Sequence, residues 1–219
     1  MVLEIIIVLA VILLSMTAHE AMHAFVGYIL GDNTAKEEGR LTLNPIKHID
    51  PFMTILLPLT MVILQAPVFG GAKPVPFNPN RVRFGEWGAA LVALAGPITN
   101  LFIAFVGFGV GIISGIITAG GATQSTILGM LVASTVSVNL GFFVFNMLPI
   151  PPLDGSRLLY AVAPDQARVI MQRIEQYGVF LIFIIVMLFS DVIGRVIAGC
   201  MWSILHVFMT ILVYNGSGP

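Results

Sequence analysis

Long apolar runs dominate the chain and are separated by short polar segments. A helix that crosses a hydrocarbon layer needs about 20 apolar residues. Four runs reach that length: residues 2–30, 88–117, 125–148 and 196–214. A shorter run, 178–189, reaches it if its helix begins in the polar stretch around Glu175. None alternates with a period of two residues, so the pattern predicts an all-α polytopic membrane protein and not a membrane barrel.

The basic residues predict how these helices cross the membrane. Nine of the ten Lys and Arg residues lie in three polar segments, at 36–47, 73–83 and 157–173, and the positive-inside rule places all three on the cytoplasmic side. The apolar stretch 52–65 lies between the first two segments, is about 14 residues long and contains Pro58, so it is predicted to be re-entrant or interfacial. With a final helical pair turning at 190–195, the sequence predicts five to six transmembrane helices.

Composition agrees with a membrane protein. Of the 219 residues, 58% are hydrophobic and only 10% are charged, whereas soluble domains are about one-quarter charged. A formal net charge of -1 gives no reason to expect nucleic acid as a partner. The first run lacks a basic leading segment and carries Glu4, so we interpret it as a retained span and not as a secretory signal. One membrane-embedded domain is expected over residues 1–219.

Ionisable residues stand inside the first apolar run, in the order His19-Glu20-Ala21-Met22-His23. Residues four apart lie on one face of a helix, so both imidazoles can bind one metal ion, while Glu20 can accept a proton from water at that ion. Such groups are costly in hydrocarbon unless they are paired, hydrated or bound to a metal. The motif therefore predicts a zinc site within the membrane.

A catalytic zinc ion usually takes three protein ligands and leaves the fourth position for water. Acidic residues are rare outside the terminal and basic segments, and Asp154 follows the run 125–148 directly. It is predicted on the side of the membrane towards which the two histidines point. A carboxylate there would complete the site, although Leu153-Asp154-Gly155 is also typical of a helix cap or a turn.

Three other interpretations use the same residues. The cluster could be a polar patch that joins helices or lines a water-filled cavity. It could pass metal ions or protons through a transporter, which predicts polar residues along several spans, whereas these groups converge at one depth. The chain could also be an inactive relative of a protease that binds membrane partners without cutting them.

Three motifs in this order resemble the site-2 protease family of intramembrane metalloproteases. They are the H-E-x-x-H of the first span, Ala95-Gly96-Pro97-Ile98-Thr99-Asn100 at the opening of a later span, and Asn-x-x-Pro-x-Pro-x-Leu-Asp-Gly at 146–155. The loop 39–45 extends the resemblance, which covers most of the chain. No insertion is large enough for a PDZ or nucleotide-binding regulatory domain, so the chain looks like a minimal member.

The resemblance implies hydrolysis of a peptide bond in or near a transmembrane segment of a membrane-protein substrate. The implied zinc ligands are His19, His23 and Asp154. Glu20 would be the general base, and Asn146 and Pro149 would help to hold the unwound substrate. Oligomeric state does not follow from the sequence.

The resemblance also implies a catalytic core over about 1–160, followed by a helical pair at about 170–215. The compact size suits a multi-pass protein of a prokaryotic plasma membrane.

A re-entrant or short β-like segment is expected near the active site. Residues 40–43 have mild strand character and could pair with an extended substrate. The stretch 70–80 is predicted to be a loop with short strands. His48 is interpreted as a loop histidine near the interface, with a metal-ligand or supporting role as the alternative, and His206 as a packing histidine.

Overall fold

The structure is a computed structural model that describes residues 2–63, 71–118 and 121–214. It is largely helical, with one two-stranded antiparallel sheet in which Ile117 pairs with Ala122. In chain order the elements are α1 Val2–Leu30, α2 Thr34–Glu37, a 3-10 turn Pro45–His48, a π-helical turn Pro51–Leu56, α3 Leu57–Ile63, a 3-10 turn Pro79–Arg81, α4 Gly85–Ile113, β1 Ile117–Thr118, β2 Gly121–Ala122, α5 Ile127–Asn146, α6 Gly155–Val162, α7 Asp165–Glu175, α8 Gly178–Met209 and a π-helical turn Thr210–Tyr214.

Four helices of the described chain are long and apolar enough to cross a membrane: Val2–Leu30, Gly85–Ile113, Ile127–Asn146 and Phe180–Val213. The first three pack against one another and form the centre of the bundle. Glycines on α4 allow a close approach to α5, because a Cβ at Gly107 would lie 3.2 Å from Thr135 Cγ2 and one at Gly111 would lie 2.9 Å from Val132 Cγ1.

The end of α8 completes the apolar core beside α4 and α5. Phe208 is buried with Ala104, Phe108 and Leu140. Its ring lies edge-on to Phe108, with 5.7 Å between the ring centroids, a geometry favourable for aromatic pairs.

The predicted turn at 190–195 is replaced by helix. α8 runs without interruption through these residues and departs from helical geometry at Phe189, where φ is −124° and ψ is 24°. The segment contains no proline, and its two charged residues, Asp191 and Arg195, are four apart, which a helix accommodates on one exposed face. The described residues therefore contain one long kinked helix where a pair of helices was expected.

The expected strand at 40–43 is also absent from the described chain. Gly39 has a φ of +66°, the backbone N–H of Thr42 donates to the carbonyl of Arg40, and the Arg40 side chain is buried. This tight local geometry prevents an extended edge. The prediction of a loop at 70–80 holds for residues 71–78, which are irregular, but the expected short strands do not form in the described residues 71–80. Residue 70 lies outside the described residues.

The short apolar element begins at Pro51 and is helical to Ile63, beyond which the described chain resumes at Gly71. Gly71 lies beside the start of the element: its N–H donates to Met53 O at 3.1 Å, and Thr54 Oγ1 donates to Gly71 O at 2.7 Å. The two ends of this stretch are therefore neighbours.

Buried polar side chains hold the irregular segment 71–78 in place. Arg40 Nη2 donates to the carbonyls of Lys73 at 2.5 Å and Pro74 at 3.4 Å. The Lys73 N–H donates to the carbonyl of His48, and the Asn78 N–H donates to Asp32 Oδ2 at 2.7 Å. Burial alone would raise the pKa of Asp32, but hydrogen bonds from Asn78 and Thr34 lower the pKa below its usual value. The segment is thus fixed from both ends.

Candidate metal centre

Two histidines and one aspartate from separate parts of the chain meet inside the bundle. His19 and His23 lie one turn apart on α1, and Asp154 immediately precedes α6. Asp154 Oδ2 lies 3.2 Å from His19 Nε2 and 3.5 Å from His23 Nε2. Asp154 stands in a turn at the N-cap position of α6, as the alternative interpretation allows, but its side chain caps no backbone N–H of that helix.

These atoms suit a zinc ion. Ligand atoms at about 2.0–2.1 Å from a tetrahedral zinc lie about 3.3 Å from one another, and the two measured separations of 3.2 and 3.5 Å bracket that value. Two imidazoles and a carboxylate are zinc ligands in catalytic sites. The residues present therefore fit the metal that the sequence motif predicts.

The histidines affect the charge of Asp154. Burial by itself would raise the pKa of this carboxyl, but His23 and His19, through Coulombic attraction and hydrogen bonds, hold the pKa well below its usual range. The carboxylate is therefore ionised at neutral pH, which is the form that binds a metal ion.

Each imidazole is oriented through its second nitrogen. His19 Nδ1 lies 2.5 Å from Asn100 Oδ1, and His23 Nδ1 lies 2.8 Å from the carbonyl oxygen of Val92. Both acceptors are on α4. Because an oxygen acceptor keeps a proton on Nδ1, each Nε2 would offer its lone pair to a metal ion that displaced the proton between it and Asp154.

A buried network extends this support across the bundle. Asn100 Nδ2 donates to Asn139 Oδ1 at 2.8 Å, and Asn139 Nδ2 donates to Ser15 Oγ at 2.8 Å. Asn100 and Asn139 are completely buried. The Nδ2 donation of Asn100 also fixes which way its amide faces, so the Oδ1 must accept from His19. Helices α1, α4 and α5 are thus joined by polar contacts that end at one imidazole.

Gly96 supplies the space for both rings. A Cβ at this position would lie 2.5 Å from His23 Nε2 and 2.6 Å from His19 Nε2. These are the two nitrogen atoms that face Asp154, so the backbone of α4 forms one wall of the centre. Only glycine fits this wall without displacing an imidazole.

Glu20 lies beside the imidazoles but is held by a different part of the chain. One carboxylate oxygen of Glu20 and one ring nitrogen each of His19 and His23 all lie within 4.8 Å of one another. Glu20 Oε2 accepts a hydrogen bond of 2.9 Å from the backbone N–H of Val75. The carboxylate is therefore within reach of a water molecule at the centre.

The other sequence-predicted residues lie outside this cluster of contacts. Asn146 is the last residue of α5, and its Nδ2 donates to Phe142 O at 3.0 Å. Pro149 is exposed in the following loop. His48 is buried, and its Nε2 lies 2.9 Å from Thr42 O. His206 is exposed and stacks on Trp202.

Sequence reasoning missed the roles of several residues in the site. Gly96 and Asn100 were noticed as parts of a motif, without a function. Asn139 was not singled out, although an asparagine in an apolar span is a signal of a buried polar contact. The Val75 contact has no side-chain signal, because a backbone N–H makes it.

Comparisons with known proteins point in one direction. The model of peptidase family M50 matches residues 110–189, a range that contains Asp154 but not the H-E-x-x-H motif. The chain is 41% identical over 206 residues to "Putative zinc metalloprotease YwhC" of Bacillus subtilis, covering 91% of this chain and 90% of that protein.

More distant relatives carry a related name. "Putative zinc metalloprotease Rip2" of Mycolicibacterium smegmatis is 30% identical over 191 residues, covering 87% of this chain and 69% of that protein. The Rip2 protein of Mycobacterium tuberculosis strain H37Rv is 27% identical over 197 residues, covering 86% and 69%. No solved structure matches the chain at a significant level.

Replacing Gly96 with alanine should remove zinc binding. The added methyl group would occupy the position of the two Nε2 atoms and push the imidazoles apart. We expect zinc in the purified variant, measured by atomic emission, to fall at least about tenfold, as for lost support of a metal ligand. Gly109→Ala on the same helix is the control, because its Cβ would meet only Leu212 Cδ1 at 3.8 Å. Equal zinc in both variants would contradict this geometry.

Proposed function

Because the chain belongs to peptidase family M50, the site-2 protease family, we propose that it is an intramembrane zinc metalloprotease. Its reaction is hydrolysis of a peptide bond in or near a transmembrane segment of a membrane-protein substrate. The relatives named as zinc metalloproteases support this proposal, and they give no support to a transporter of metal ions or protons. In this proposal the chain is a multi-pass protein of a prokaryotic plasma membrane.

The single observation that carries the proposal is the meeting of Asp154 with His19 and His23 inside an apolar bundle. His23 is seven residues from the C-terminal end of α1, which is about 10 Å along the helix. The centre therefore lies inside the span and not at its end. Ionisable groups at such depth mark functional sites. A water-activating group, Glu20, stands beside them.

In this proposal His19, His23 and Asp154 hold the zinc ion. Zinc supplies Lewis-acid chemistry at the centre, which polarises a carbonyl group and acidifies water. Glu20 takes the proton of the attacking water and passes it to the leaving nitrogen as the peptide bond breaks. Asn100 and Val92 keep the imidazoles oriented throughout, since their contacts are on the opposite ring nitrogens.

The substrate must lose local helical structure before it can be cut, because a peptide bond inside a helix is covered by its own turn. Its freed N–H and C=O groups then need partners within the membrane. We assign part of this task to Asn146 and Pro149. Both lie where α5 ends and the chain turns towards Asp154, so a substrate beside the centre would meet them.

Cleavage of a reporter tests the function. The reporter carries one apolar helix with a central Gly-Pro pair between two soluble tags, in liposomes. We expect wild type to cut it and Glu20→Gln to lose at least about a hundredfold in rate, as for loss of a general base. Glu4→Gln, the same change on an exposed part of α1, should cut normally.

Two results would oppose these assignments. Cleavage by Glu20→Gln at the wild-type rate would exclude Glu20 as the base. Asn146→Leu with unchanged rate and unchanged affinity for the reporter would remove Asn146 from the substrate site.

We further propose that all residues belong to one membrane domain with five to six membrane segments. The run Phe180–Val213 has 34 residues, about 50 Å of helix, against a hydrocarbon layer of about 30 Å. Exposed Asp191 and Arg195 lie near its middle. We place these charges at a membrane surface, so the arm from Gly178 to Phe189, about 18 Å long, is a segment that enters the membrane without crossing it. The arm after Phe189 is a crossing segment, and the element from Pro51 is a re-entrant sixth.

Thiol labelling tests this arrangement. In a Cys200→Ala background, Arg195→Cys should react with a membrane-impermeant maleimide, whereas Val207→Cys, exposed at 52% but apolar in its surroundings, should be shielded by lipid. Equal protection of both positions would show that Arg195 lies within the bilayer and that α8 is one span.

A further inference from the structure

The geometry points to the backbone N–H of Val75 as the group that positions Glu20 for catalysis. We propose that Val75 acts through Glu20 and is therefore a positioning residue; the inference rests on the proposed function, in which Glu20 is the general base. The contact is the 2.9 Å hydrogen bond from Val75 N–H to Glu20 Oε2, between residues 55 apart in sequence.

The local sequence presents this N–H alone. Val75 stands between Pro74 and Pro76, and neither proline has an N–H. A residue before proline is also driven towards extended backbone. The Pro-Val-Pro unit is therefore an extended piece of chain with one donor, and that donor is used on Glu20. Such a unit cannot pair as a strand with a substrate.

The segment is held too firmly to be a loose cover over the centre. Arg40, which is 4% exposed, donates to the carbonyls of Lys73 and Pro74. The backbone carbonyl of His48, a completely buried residue, accepts from Lys73 N–H, and the side chain of Asp32, 2% exposed, accepts from Asn78 N–H. Two buried side chains and one backbone carbonyl thus fix the backbone within three residues of Val75 on both sides.

The hydrogen bond from Val75 N–H to Oε2 of Glu20 leaves Oε1 as the oxygen that takes the proton of water. An N–H that donates to Oε2 occupies one lone pair of that oxygen and makes it less basic than Oε1. The proton of the attacking water therefore goes to Oε1, and the remaining hydroxide forms the new C–O bond. The same proton leaves Oε1 for the amine nitrogen as the C–N bond breaks, while the bond to Val75 persists. The donor also stops the carboxylate from turning away from the water.

Amide-to-ester replacement at position 75 tests the role without changing a side chain. The α-hydroxy analogue of valine removes the N–H, and the α-hydroxy analogue of phenylalanine at Phe77 is the matched control. Phe77 N–H donates to no acceptor among the residues that the structure describes. Rates are measured with the liposome reporter, together with zinc per chain and the unfolding temperature.

We expect the Val75 ester to lower kcat about tenfold to hundredfold, to change KM by less than about threefold, and to keep its zinc. The Phe77 ester should resemble wild type. Val75→Pro, which also lacks the N–H, should reproduce the loss in kcat. A purely structural role would instead lower zinc content or unfolding temperature.

Three results would overturn the inference: equal kcat for the two esters, a higher kcat for the Val75 ester, or loss of zinc from it. The second would show that the segment blocks the centre, and the third that it supports the metal ligands. If wild-type protein with full zinc does not cut the reporter, the proposed function fails before Val75 is tested.

Discussion

The structure depends on placing three ionisable side chains inside an apolar bundle. Taking such groups out of water costs several kcal/mol each unless charges and hydrogen bonds compensate. Here a carboxylate lies within 3.5 Å of both imidazole nitrogens, and every remaining ring nitrogen of the pair has an acceptor on α4. This cluster can exist because α1 packs against α4 and because the chain brings Asp154 to the two histidines just before α6 begins.

Close approach of the helices and buried polar contacts both hold the two imidazoles in place. Gly96 lets the backbone of α4 touch the imidazoles, and the same helix supplies Asn100 and Val92 as acceptors. Asn139 and Ser15 then connect this support to α5 and back to α1. The helix that carries His19 and His23 is thereby locked against two neighbours by directional contacts, which lipid cannot supply and apolar packing alone does not orient.

Much of this was predictable because helices in lipid leave strong signals in sequence. The long apolar runs predicted α1, α4 and α5, and the spacing of His19 and His23 predicted their common face. Long-range geometry was less accessible. Hydropathy did not predict that α8 continues through Asp191 and Arg195 or that the side chain of Arg40 is buried. Both features depend on local backbone conformation. The donor to Glu20 belongs to a backbone brought from 55 residues away, so no side-chain pattern announced it.

The central claim is that His19, His23 and Asp154 together hold one zinc ion, with Glu20 left free. Zinc per purified chain in wild type, Asp154→Ala and Glu20→Gln tests it without any substrate, with Asp165→Ala as a control for loss of an exposed carboxylate. We predict about one zinc in wild type, Glu20→Gln and Asp165→Ala, and markedly less in Asp154→Ala, where one of three ligands is lost. Full zinc in Asp154→Ala, or none in wild type, would contradict the account.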